Sequence, residues 1–91
     1  MREFEADPPK AAANLRKHKV SFAEAASVFG DAMALTFSDP DHSTGEEGWL
    51  MFGMSRMGRI LAVIYTERSG KYRIISARRA TRHERKIYEE G

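Results

Sequence analysis

Apolar and polar positions along this 91-residue chain alternate with a helical period near the start, with a strand period in the middle, and with a helical period again at the end. The stretch "DPPKAAANLRKH" opens on Asp7, whose carboxylate can accept from a free N–H of a first helical turn, and continues with prolines that the first turn tolerates. It predicts a helix from about Pro9 to His18 with a narrow apolar stripe of Ala11, Ala12 and Leu15. In "VSFAEAASVFG" Ser21 and Glu24 have capping-box spacing, Val20 and Ala25 can form a hydrophobic staple, and Gly30 supplies a stop. Phe22, Ala25, Ala26 and Phe29 fall at i, i+3, i+4 and i+7, the spacing of a buried helix face. A short strand at Phe4-Glu5 precedes both helices. Four further strands are read at Met33 to Phe37, Trp49 to Met54, Arg59 to Thr66 and Lys71 to Ala77, with turns at Met57-Gly58 and Ser69-Gly70. Thr81 to Glu90 then reads as a last helix, with Thr81 as N-cap and Glu84 at the capping-box position. Helices with one apolar face need a sheet to cover. The order predicts an α+β fold: a small antiparallel sheet packed with two N-terminal helices and one C-terminal helix.

Length and composition narrow the picture. Ninety-one residues, 42% of them hydrophobic, make one domain, residues 1–91, with one core. Without cysteine there is neither a disulfide framework nor a thiolate zinc site. The longest apolar run, Ile60 to Tyr65, is far short of the roughly 20 residues that span a bilayer, and Met1-Arg2-Glu3 does not open a signal peptide. A soluble cytoplasmic protein that makes no membrane contact is expected.

The net charge of +2 conceals a segregation. Between Asp31 and Glu47 stand five acids (Asp31, Asp39, Asp41, Glu46, Glu47) and no Lys or Arg. Between Arg68 and Tyr88 stand eight bases against the single acid Glu84. Such a split points to a polyanion-binding surface, with nucleic acid the leading candidate, although a solvated basic helix face would look the same. Arg68, Arg73 and Arg78 recur every five residues, and a guanidinium fork matches phosphate oxygens bidentately. By strand alternation, Lys71, Arg73, Ile75 and Ala77 would share one face and Tyr72, Ile74, Ser76 and Arg78 the other. That arrangement mixes cations with apolar residues on both faces.

Arg16, Lys17, His18 and Lys19 end the first helix, where cations suit the negative pole of the dipole. His18 is a candidate base or a capping residue. His42 lies among acids, but the spacing in "DPDHSTGEE" matches no calcium loop and no H-x-x-x-H pair, so a polar turn is expected. His83 reads as exposed. No G-x-S-x-G, Walker sequence or glycine fingerprint is present. Neither a metal site nor a cofactor is expected.

The segments "FEADPPKAAANLRKHKVSFAEA", "DPDHSTGEE", "GRILAV", "TERSGKYRIISARRAT" and "ERKIYEEG" together resemble the BrnT-type toxins of bacterial type II toxin-antitoxin systems, small ribonucleases with a RelE-like fold. The resemblance spans almost the whole chain, and its most specific part pairs K-H-x-V-S-F with R-I-I-S-A-R-x-A. Three positions depart from the family pattern: Ala6 stands where Trp is usual, Lys19 where Gly is usual, and Gly48 where Arg is usual. The resemblance implies metal-independent RNA cleavage that inhibits translation and growth. It also implies neutralisation by a ribbon-helix-helix antitoxin in a heterotetramer that touches promoter DNA only through the antitoxin.

Matching positions then assign Lys17 and His18 to proton transfer or phosphate contact, and Arg68, Arg73 and Arg78 to charge stabilisation. Glu84 and Tyr88, which share a helix face, would orient an arginine or close the site, or else serve as a cap and a core aromatic. Arg16, Arg73, Arg79 and Arg82 are expected to bind RNA. A non-catalytic RNA- or DNA-binding module using the same arginines is the competing reading, with Tyr65, Tyr72 and Trp49 as stacking platforms. A third is a basic surface that only docks an acidic partner.

Overall fold

The structure, a computed structural model, describes residues 3–39 and 48–91; His42 and the acids Asp41, Glu46 and Glu47 lie outside the described residues. The elements are β1 (Phe4–Glu5), α1 (Pro8–His18), α2 (Phe22–Ser27), β2 (Leu35–Ser38), β3 (Gly48–Met54), β4 (Ile60–Arg68), β5 (Lys71–Arg79) and α3 (Arg82–Glu90). They make one sheet in the order β1-β5-β4-β3-β2. β2 to β5 form the expected antiparallel meander, while β1 adds to the outer edge of β5 in parallel, so the sheet is mixed.

Local chemistry explains most boundaries. The Asp7 carboxylate accepts from the Lys10 N–H at 3.3 Å, and Ser21 Oγ from the Glu24 N–H at 3.0 Å. At α3 the capping box is complete, Thr81 and Glu84 each accepting from the other's backbone N–H. At α2 it is half made, because the Glu24 carboxylate bonds Ser55 and Arg59 instead. The β4–β5 turn carries Ser69 at φ 52° and Gly70 at φ 78°, the paired left-handed residues whose twist matches a tight hairpin. The last turn of α2 tightens into a 3-10 turn over Val28–Gly30. Met33, expected to begin a strand, is 68% exposed in the turn before β2, where its N–H donates to Asp31 Oδ1.

Val20, Phe22, Ala25 and Val28 are buried against Met51, Leu61, Val63, Tyr65, Ile74 and Ala77 on one face of the sheet. Phe4, Phe29, Tyr65 and Tyr72 extend this core as an aromatic cluster with ring centroids 4.7 to 5.6 Å apart. The stripe expected on α1 is rotated: Leu15 is 50% exposed, and Asn14 is the buried position.

The strand-face expectation for β5 is overturned by a bulge. Ile64 pairs with Ser76 and Tyr65 with Ile74, which leaves Ile75 as an extra residue. Alternation reverses there. Tyr72, Ile74 and Ala77 therefore all face the helices. Ser76 and Arg78, paired with Ile64 and Ala62, share the opposite face with Arg73, Lys71 and Arg68. From Lys71 to Arg78 the bulge thus sorts apolar residues from cations, which strict alternation would have mixed; Arg79, at the strand end, returns to the helix side.

Candidate active site

α1 and α2 lie against β5. Where α1 ends, Lys10, Ala13, Asn14, Lys17 and His18 line a groove of about 250 Å³ whose other wall is Ile75 and Ser76 of β5. Ser76 belongs to the cation-bearing face, so the groove meets the edge of that face, although no arginine among the described residues lines it.

Two buried polar clamps hold the groove. Asn14 is 7% exposed; its Nδ2 donates to the carbonyls of Val20 (2.9 Å) and Ala77 (2.8 Å), and its Oδ1 accepts from the Ala77 N–H (3.1 Å). An amide side chain thereby continues the ladder along the part of β5 that β1 does not cover, and ties the α1–α2 turn to that strand. The second clamp starts from Glu24, 1% exposed, which accepts from Ser55 Oγ at 2.7 Å and from Arg59 through two nitrogens. The Arg59 hydrogen bond holds the Glu24 carboxyl below its ordinary range, against the opposing effect of burial. Arg59 Nη2 also donates to the Lys19 carbonyl at 3.1 Å. Lys19 closes α1 in the left-handed conformation, φ 60° and ψ 31°, which costs a residue with a Cβ about 1 kcal/mol. Fixing the carbonyl helps hold that conformation directly after His18.

At the other end of the face, Arg78 Nη1 and Nη2 donate to the two oxygens of Glu84 at 2.6 and 2.9 Å. This fork holds the Glu84 carboxyl down to about 2 and raises Arg78 further above its ordinary value. α3 is fastened again by Tyr88, whose hydroxyl donates to Asp31 Oδ2 at 2.6 Å and is pushed up to about 12 by that bond. Asp31 also accepts from the Met54 and Met33 N–H groups; burial opposes its charge, but these bonds prevail and its carboxyl stays below its usual range.

The sites read from sequence therefore divide. Lys17 and His18 line the groove. Arg73 and Arg78 lie on the face whose edge the groove meets, and Glu84 holds Arg78. Arg68 shares that face but sits beside the β4–β5 turn, roughly 20 Å from Arg78 at about 3.3 Å per residue. Arg79 points to the helix side and Arg82 is exposed in the first turn of α3; Arg16 is exposed on α1. Tyr88 meets Asp31, a pairing the sequence did not suggest. Asn14, Ser76 and the Glu24–Arg59 pair were not read from sequence as parts of the site. Among the described residues no three His, Asp or Glu side chains converge as metal ligands, and no helix is long and apolar enough to cross a membrane.

Residues 7–84 match the family described as the ribonuclease toxin BrnT of type II toxin-antitoxin systems. The chain belongs to the BrnT family. It is a ribonuclease toxin of a type II toxin-antitoxin system, with an antitoxin as partner. The 1.1 Å crystal structure of the Brucella abortus ribonuclease toxin BrnT is similar in fold, with a TM-score of 0.68 at 22% identity, covering 90% of this chain and 100% of that one. No curated protein matches the sequence. Within the BrnT family's α+β fold, the groove places Lys17 and His18 beside Ser76 of β5, the strand that also carries Arg73 and Arg78.

Proposed function

We propose that this BrnT-family toxin cleaves RNA without a metal ion, on the face of the sheet reached from the Lys17–His18 groove. The observation that carries the reading is the bulge at Ile75, which gathers Ser76, Arg73 and Arg78 on the face whose edge the groove meets. In the reaction a 2′-hydroxyl attacks the adjacent phosphorus while a base removes its proton. The P–O5′ bond breaks, an acid protonates the departing oxygen, and a 2′,3′-cyclic phosphate and a 5′-hydroxyl result. His18 and Lys17 perform the proton transfers and hold the phosphate. Arg78 meets the charge that develops on the non-bridging oxygens. Glu84 takes one hydrogen from each Nη of Arg78 and so orients the guanidinium, and Nη1 also reaches the Arg79 carbonyl, so Nε–H and the second Nη2 hydrogen remain for substrate. Arg73, Arg68, Arg16, Arg79 and Arg82 hold flanking phosphates, and Tyr88, by docking α3, keeps Glu84 in place.

Cleavage of this kind in the cytoplasm inhibits translation. A ribbon-helix-helix antitoxin, assembled with the toxin as a heterotetramer, neutralises it by covering the basic face and alone contacts promoter DNA. The competing reading, a binding module without chemistry, is weakened by the burial of Tyr65 and the packing of Tyr72 in the aromatic cluster, which removes two stacking platforms. Incubation of the purified chain with total RNA and a chelator tests the proposal. Fragments ending in 2′,3′-cyclic phosphate are expected; RNA that is bound and left intact, or cut only when a divalent ion is restored, would contradict it.

A further inference from the structure

Beside the Arg78–Glu84 pair lies a second basic feature. Arg79 follows Arg78 on β5 and Arg85 follows Glu84 on α3, and both turn into a cleft of about 140 Å³ completed by Arg59, Ala80, Gly58, Ile60 and Met54. Three arginines and no carboxylate line it. Arg59 is neutralised by Glu24, yet it binds that carboxylate and the Lys19 carbonyl through Nε and Nη2 alone, so Nη1 remains for another acceptor among the described residues. Arg79 and Arg85 have no ion-pair partner among the described residues. Like charges held around one cleft repel each other and are relieved by an anion, and guanidinium forks fit phosphate oxygens.

We infer that the Arg59–Arg79–Arg85 cleft is a phosphate subsite that holds the RNA backbone next to the phosphate at Arg78. The inference rests on the cleavage site proposed above. Arg78 and Arg79 project to opposite faces at the end of β5, and Glu84 and Arg85 follow one another on α3, so a strand of RNA whose reacting phosphate meets Arg78 can round that end of the sheet and lay a neighbouring phosphate in the cleft. The cleft thus gives the enzyme a preference for substrates that extend past the cut.

The test is a titration with a fully 2′-O-methylated oligonucleotide, which lacks the attacking hydroxyl and reports binding alone. Arg85→Gln, on an exposed position of α3, should make the plot of log Kobs against log [salt] shallower by roughly 0.7, the loss expected for one single-strand phosphate contact. Arg85→Lys should restore most of the slope, since the charge returns, and a thermal melt shows that both variants fold. An unchanged slope for folded Arg85→Gln overturns the inference. So does a variant whose antitoxin affinity falls while its RNA slope is unchanged, since the cleft would then serve an acidic protein segment. Inorganic phosphate that binds at Arg85 while the RNA slope is unaltered would mark a free-anion site and also overturn it. Failure of the wild-type chain to cut RNA would instead remove the cleavage reading, and the slope would still decide whether the cleft holds an RNA phosphate.

Discussion

The two ends of the basic face are fastened by different physics. At the α1–α2 turn the fastening groups are interior: Asn14 and Glu24 are almost wholly buried, and every bond they make replaces one that water could not supply. At α3 no residue is buried, and the helix is held by the Arg78–Glu84 fork, the Tyr88–Asp31 bond and the half-buried Ile87. Removing one partner of an interior clamp strands a polar group in a dry place. Removing one partner at α3 exposes the other to water. The groove wall carrying Lys17 and His18 should therefore be rigid, and α3, which carries Glu84, should open more readily.

Substitutions can break that contrast in order of size. Arg59→Ala leaves the buried Glu24 carboxylate with Ser55 Oγ as its remaining donor among the described residues; this variant should lose the most stability, its melting temperature falling by about 10 °C for a domain of this size. A loss of only a degree or two would show that water reaches Glu24 and that the clamp is not interior. Asn14→Ala strands the Ala77 N–H and two carbonyls and should cost about 2 kcal/mol. Amide exchange should rise at Ala77 first, because that N–H loses its acceptor.

At α3 smaller effects are expected. Glu84→Gln should cost about 1 kcal/mol, the scale of a charge-assisted bond on a partly exposed pair. Because the Glu84 carboxyl is held at about 2 rather than 4.5, the stability it contributes is complete above pH 4.5 and is lost as pH falls through about 2. Protection of the α3 amides, taken relative to their intrinsic exchange rate at each pH, should fall over that acid window in wild-type protein, and Glu84→Gln should remove the fall. Tyr88→Phe should cost less than about 1 kcal/mol. The Tyr88 contribution is present below pH 10 and lost as pH rises through about 12, so a difference melt should shrink there.

Elements whose signals lie within a few residues were legible in the sequence. Asp7, Ser21 and Thr81 cap the helices they were expected to cap, and Ser69-Gly70 makes its hairpin, because caps and tight turns are decided locally. What depended on distant partners was not. The bulge at Ile75 is a property of the register between β4 and β5, and no pattern in "KYRIISAR" alone announces it. Glu24 has capping-box spacing, but Arg59, 35 residues away, claims its carboxylate. Asn14 left one trace: it falls three residues after Ala11, on a stripe otherwise read as apolar, where a buried amide must find partners.

The most direct test of the central claim is RNA cleavage per folded molecule by Arg78→Ala, measured beside its thermal melt. If Arg78 stabilises the charge on the reacting phosphate, cleavage should fall by roughly 10²-fold or more, the scale of losing one oxyanion donor, while the protein remains folded. If its work is only to hold Glu84 and α3, the melt will shift and each folded molecule will cut RNA at the wild-type rate, which would contradict the account.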